Sequence, residues 1–114
     1  MTHIYKILKA ADWDAAARVG RFDGAAVDLE DGYIHLSTAA QASETARLYF
    51  SGQAGLVLVR LDAEALGAAL RWEPSRGGQL FPHLYGPLNC AQAEAVTPIT
   101  LDDDGTPRLG DLAP

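Results

Sequence analysis

The run Leu56-Val57-Leu58-Val59-Arg60-Leu61 is almost continuously apolar and rich in valine. A strand with one wet face alternates apolar and polar residues. A run that fails to alternate is buried on both faces, so this segment predicts the central strand of a sheet. The whole chain has 114 residues, which fits one domain built around one such strand.

Other elements mix irregularly around it. Residues 3–9, HIYKILK, alternate well enough for a first strand. Asp12 is placed to cap a helix whose apolar stripe is Trp13, Ala16 and Ala17, with Gly20 suited to the left-handed stop. Residues 21–31 read as loop, ending in the turn pair Asp31-Gly32. Residues 33–37 form a short strand with Tyr33, His35 and Ser37 on one face and Ile34 and Leu36 on the other. Thr38 and Gln41 have capping-box spacing and open the clearest helix; Ala42, Ala46, Tyr49 and Phe50 should face the core, and Gly52 ends it. Residues 62–66 make one helical turn closed by Gly67, and residues 69–73 return as a strand that stops at Pro74. A long Gly/Pro-rich loop spans 74–88, with a short extended piece at 81–85. A turn near 89–93 leads into a last strand at 94–101. This pattern predicts a small single α+β domain over residues 1–101, with a mixed or mainly antiparallel sheet and two main helices. Residues 102–114 are expected to be an acidic turn and a loose tail.

The net charge of −6 favours solubility, and the nine Lys and Arg residues form no basic block. Nucleic acid is therefore not an expected partner, because phosphate binding needs clustered basic residues. The single cysteine, Cys90, rules out an intramolecular disulfide and has no basic neighbour in sequence to activate it, so it reads as a packed thiol. No long apolar run marks a signal peptide or a membrane span, so the expectation is a cytoplasmic protein of bacterial type with no membrane partner.

Chemically capable residues crowd into two stretches, GYIHLST at 32–38 and RWEPSRGGQLFPHLYG at 71–86. His35 sits beside Tyr33 and Ser37; it is either a hydrogen-bonded structural histidine or a ligand-contacting, acid–base one. Ser37 and Thr38 begin a helix, where hydroxyls and free amides suit an anionic group, although Ser37 can equally be a simple cap. Arg71 and Glu73 share one face of their strand. They form either a surface ion pair, or a pair in which Glu73 steadies a hydroxyl or acts as base while Arg71 grips a carboxylate or phosphate. Trp72, on the opposite face, is assigned to the core. Ser75-Arg76-Gly77-Gly78 has the makings of an anion-binding loop, or of a plain hairpin tip; no GxxxxGK[ST] is present. Phe81, His83 and Tyr85 line one side if extended, and a histidine between two aromatics can bind a flat ring, shuttle a proton or simply be packed. His35, His83 and Glu73 could ligate a metal in principle, but no HxH, HExxH or CxxC occurs and no metal is expected.

Together these stretches resemble the bacterial domain-of-unknown-function family 952. The pattern is carried by Ile4-Tyr5-Lys6-Ile7, by DGYIHLST at 31–38 and by LRWEPSRGGQLFPHLYGPL at 70–88, and it covers roughly residues 3–101. The family looks distantly related to the ADP-ribosyltransferase superfamily. That resemblance implies a split sheet with NAD, as substrate, in the cleft between its halves. It implies further that His35 bonds the nicotinamide ribose, that Tyr33 or Tyr85 stacks on the nicotinamide, that Glu73 steadies the ribose and that Arg71 and Arg76 hold pyrophosphate. Three functions are therefore expected to compete. The first is an enzyme of C–N bond cleavage acting on NAD or a related nucleotide. The second is a non-catalytic module for a small anionic or aromatic ligand. The third is a protein-interaction domain.

Overall fold

A computed structural model of the chain describes residues 2–114. In chain order it contains β1 (His3–Lys9), α1 (Ala10–Val19), β2 (Arg21–Phe22), α2 (Ala26–Asp31), β3 (Ile34–His35), β4 (Ser37–Thr38) and α3 (Ala39–Tyr49). These are followed by β5 (Leu56–Asp62), β6 (Leu70–Pro74), β7 (Leu80–Leu84), β8 (Leu88–Asn89), β9 (Ala95–Leu101) and β10 (Pro107–Arg108). The strands make a five-stranded sheet in the order β10-β9-β5-β1-β4, a three-stranded sheet β3-β7-β6 and a two-stranded ribbon β2-β8. Every pairing is antiparallel. The fold is therefore the expected α+β class, with α1 and α3 as its two main helices.

β5 takes the central place, paired along its length with β1 on one side and β9 on the other. Its side chains divide between two cores, as the failure of alternation requires. Val57, Val59 and Leu61 join Ile4, Leu8, Trp13, Phe22, Ile34 and Leu88 in the larger one. Leu56 and Leu58 join Tyr5, Ile7, Ala46 and Ile99 in the smaller one, on the side of α3. Leu61, Val59, Ile4 and Leu88 are fully enclosed, each contributing about 1.5–3 kcal/mol through burial.

Several sequence expectations need correction. Residues 21–31 are not loop. β2 pairs with β8, and α2 forms because the Asp28 carboxylate accepts from the backbone amide of Ala25 at 2.8 Å, closing the first turn. α1 starts directly out of β1 with Lys9 as its cap residue, so Asp12 lies in the first turn and favours the positive helix end rather than capping it. The strand at 33–37 is broken at Leu36: β3 pairs with β7, whereas β4 pairs with β1. Residues 74–88 are largely ordered into a β6–β7 hairpin, whose tip is a tight turn at Arg76–Gly78. The turn requires left-handed backbone at Gly77 and Gly78, φ 67° and 78°, which glycine adopts without strain. Trp72, assigned to the core, is instead 41% exposed, on the edge strand of its sheet. Tyr49 also lies largely exposed rather than in the core.

The tail beyond Leu101 is not loose. Pro107–Arg108 extends the main sheet as β10, Leu109 and Leu112 pack on the smaller core, and the Tyr5 hydroxyl donates to the Ala113 carbonyl at 2.5 Å. The acidic run hides this apolar return in the sequence. No helix among the described residues is long and apolar enough to cross a membrane.

Candidate functional site

β4 pairs with β1 only at Ile4 and Tyr5, so from Lys6 onward the outer edge of β1 lacks that neighbour. A cavity of about 560 Å³ lies there, between the two larger sheets and α3. Its walls come from β1 (Tyr5, Lys6, Ile7), the 31–37 segment (Asp31, Tyr33, His35, Ser37), α3 (Thr45, Tyr49) and the β6–β7 hairpin (Ser75, Arg76, Phe81, His83). The volume is in the range of small-molecule sites.

At one end stand two imidazoles. His35 and His83 are register partners across β3 and β7, with ring centroids 5.7 Å apart. The Tyr33 ring lies over both, 4.6 Å from His35 and 4.2 Å from His83, with Tyr85 5.2 Å away on its outer side. His83 is buried, and its Nδ1 bonds Glu73 Oε1 at 2.8 Å, which also accepts from the Tyr85 hydroxyl at 2.7 Å. No described residue bonds its Nε2. His35 differs, since both of its nitrogens meet carboxylates: Nδ1 faces Asp28 at 2.7 Å and Nε2 faces Asp31 at 2.9 Å.

Asp28 is the hub of this end. Its carboxylate is almost wholly buried and takes the Lys6 ammonium at 2.9 Å, the His35 backbone amide at 3.0 Å and the Ala25 amide. Burial pushes its pKa up, but the His35 hydrogen bonds and the Lys6 charge outweigh burial and hold the carboxyl well below the usual range. Burial pulls the Lys6 ammonium below its ordinary value, opposed by Asp28. Gly24 completes the packing, because a Cβ there would lie 2.8 Å from Asp28 Cβ. The hydrogen bonds from His83 and Tyr85 lower the Glu73 pKa, and the same contact raises that of Tyr85.

At the other end, Arg76 enters from the hairpin tip. Its guanidinium lies 4.9 Å from the Phe81 ring centre, and Nη1 donates to Thr45 Oγ1 at 3.2 Å. Thr45 gives its own proton to the Gln41 carbonyl at 3.1 Å, so Ser37 Oγ, 3.1 Å away, is the donor to it. Gln41 ties the tip to α3 by donating from its side chain to the Leu80 carbonyl at 2.9 Å.

Of the residues singled out in the sequence, Tyr33, His35, Ser37, Ser75, Arg76, Phe81 and His83 line this cavity together. Thr38 does not; it caps α3, accepting from Gln41 N at 3.3 Å while Gln41 Oε1 accepts from Thr38 N at 3.1 Å. Gly77 serves the turn. Glu73 and Tyr85 stand behind His83 and Tyr33 and do not line the cavity, and Arg71 stacks outside on Tyr85, 4.7 Å from its ring centre. The surface ion pair of Arg71 with Glu73, one of the two readings of that strand, is not formed among the described residues; Glu73 is bonded to His83 instead. His35, His83 and Glu73 form no metal-holding group there either. Cys90 is partly buried against the larger core, and burial raises its thiol pKa. Sequence reasoning missed Lys6, Asp28, Asp31 and Thr45. The lysine inside an otherwise apolar strand, HIYKILK, was the available signal for the first of these. A buried lysine demands a buried acid, and Asp28 supplies it.

The chain belongs to the family described as Protein of unknown function (DUF952), whose pattern matches residues 7–96. In structure it is similar to protein CC0527 of Caulobacter crescentus. The crystal structure of that protein is 57% identical over 96% of each chain, with a TM-score of 0.94. A crystal structure of its double mutant is 55% identical at the same TM-score. Its solution NMR structure is 58% identical over 97% of this chain, with a TM-score of 0.88. No curated protein matches the chain.

Proposed function

We propose that the cavity binds a small ligand and that His83 is its proton-transfer group, with NAD or a related nucleotide as the ligand to be tested first. The observation that carries this reading is the position of His83. Glu73 fixes one ring nitrogen of a buried imidazole that lines the cavity, and the other nitrogen has no partner among the described residues. A carboxylate-oriented imidazole of this kind suits general acid–base work. In C–N cleavage of NAD, the bond from the ribose to nicotinamide breaks with its electron pair going to the leaving ring. Water then adds to the ribosyl cation and gives up a proton. Among the carboxylates near the rings, Asp31 lines the cavity, so it rather than Glu73 is suited to steady that cation. Tyr33 is suited to cover the flat ring.

One observation favours a second reading, a binding module without chemistry. Both nitrogens of His35 are already engaged by carboxylates, which fits a fixed hydrogen-bonding group better than a proton shuttle. The two readings separate in one experiment on the folded protein. Thermal shift with NAD and ADP-ribose reports binding, and release of nicotinamide reports turnover. Binding with turnover, lost in His83→Ala and retained in part in His35→Gln, is the expected result. Binding without turnover leaves the module. A folded chain that ignores both nucleotides at millimolar concentration removes the NAD reading.

A further inference from the structure

We infer that the Arg76 end of the cavity is a subsite for a phosphate or phosphate-ester group, a proposal that rests on the reading of the cavity as a ligand site and specifies the ligand's charge. Most of the cavity's basic side chains are already matched by carboxylates. The Lys6 ammonium is closed off by both oxygens of Asp28. His35 lies between Asp28 and Asp31. Arg76 alone among the cavity-lining Lys, Arg and His residues has no carboxylate against it among the described residues. Glu44 on α3 is close enough to feel the Arg76 charge, but its carboxylate is bonded to Arg47.

The guanidinium is also held in place before any ligand arrives. Nη1 is fastened to Thr45, the Phe81 ring supports one face, and the hydroxyl chain from Ser37 through Thr45 to the Gln41 carbonyl leaves Thr45 no freedom to turn away. Gln41 fastens the hairpin strand behind it. An arginine so fixed keeps Nε and Nη2 as a fork for two oxygens of one anion, and loses little freedom in binding it. Ser75 lies in the same wall, while the Ser37 proton is already given to Thr45. A flat neutral ligand would leave this charge unmatched, whereas a phosphate supplies both the charge and the acceptor oxygens. The arrangement places the anion away from the paired rings, so a ligand filling the cavity carries its phosphate at one end and its reacting or stacking group at the other.

The test uses inorganic pyrophosphate as probe and follows the Nε–Hε signal of Arg76 by NMR, together with the calorimetric dissociation constant. Wild-type protein should show a saturable shift of that signal. Arg76→Ala should weaken pyrophosphate at least tenfold, Arg76→Lys should keep only part of the affinity, and Thr45→Val should weaken it several-fold while broadening the Arg76 signal. Arg71→Ala, which lies outside the cavity, should leave the constant unchanged. A shift that never saturates, or the same constant in wild type and Arg76→Ala, overturns the subsite. NAD binding that survives Arg76→Ala unchanged also overturns it while sparing the cavity reading. Pyrophosphate binding that needs Arg76 in a protein that ignores NAD upholds the subsite and removes the nucleotide.

Discussion

Asp28 and Lys6 show how one buried pair organises a region. Each is too enclosed to stay charged alone, and together they make the segment from Ala25 to His35 fold around the carboxylate. Asp28→Asn should therefore destabilise the protein by about 3–5 kcal/mol, since it leaves an ammonium buried without its counter-charge. The pH dependence follows from the direction of the shift. The folded carboxyl titrates lower than the unfolded one, so its contribution is complete above the unfolded value of about 4 and drains away as the pH falls toward the folded value. Denaturation midpoints from pH 7 down to 2 should show the gap between wild type and Asp28→Asn closing with acid; parallel curves would contradict this. Such a partnership is invisible along the chain. Lys6 and Asp28 are 22 positions apart, and each looks like a surface residue until the other is found. The same blindness explains α2, a helix whose main support is bonds to groups outside it.

Elements whose logic is local were readable. Thr38 and Gln41 are three residues apart and cap each other in the structure as their spacing requires. Thr38→Ala should cost about 1 kcal/mol in urea unfolding, with little change in slope. The strands at the centre of the main sheet were readable too, because failure to alternate is a property of a few adjacent residues. The hairpin from β6 to β7 was legible as chemistry and only in part as structure. The two glycines at its tip fit either an anion loop or a hairpin turn in the sequence, and they form the turn, which carries Arg76 to the cavity. Trp72 went astray for another reason: aromatic size argues for burial, whereas exposure depends on what packs over that face of the sheet, a long-range matter. The docked C-terminal residues depend on Tyr5 and the smaller core, again a long-range matter.

At the scale of the molecule, the two cores share β5 and cannot come apart independently. Leu58→Ala empties part of one and Leu61→Ala part of the other. Each should cost about 2–5 kcal/mol and move the same single transition, by fluorescence and by circular dichroism alike. Two separate transitions would show that the layers fold apart. The two stretches that concentrate chemically capable residues do supply one cavity, where the His35 and His83 rings meet; what the sequence withheld was the order of contact. Glu73, taken for a group that touches ligand, stands one shell back and steers His83. Finally, Leu36 is the one residue between the strand that carries His35 and the strand that carries Ser37. The first travels with β7 and the second with β1. The Leu36 amide also donates to the Pro82 carbonyl at 3.1 Å, so this single buried residue binds the hairpin as well as bridging the two strands, and a substitution there would disturb the ring pair and the hydroxyl chain together.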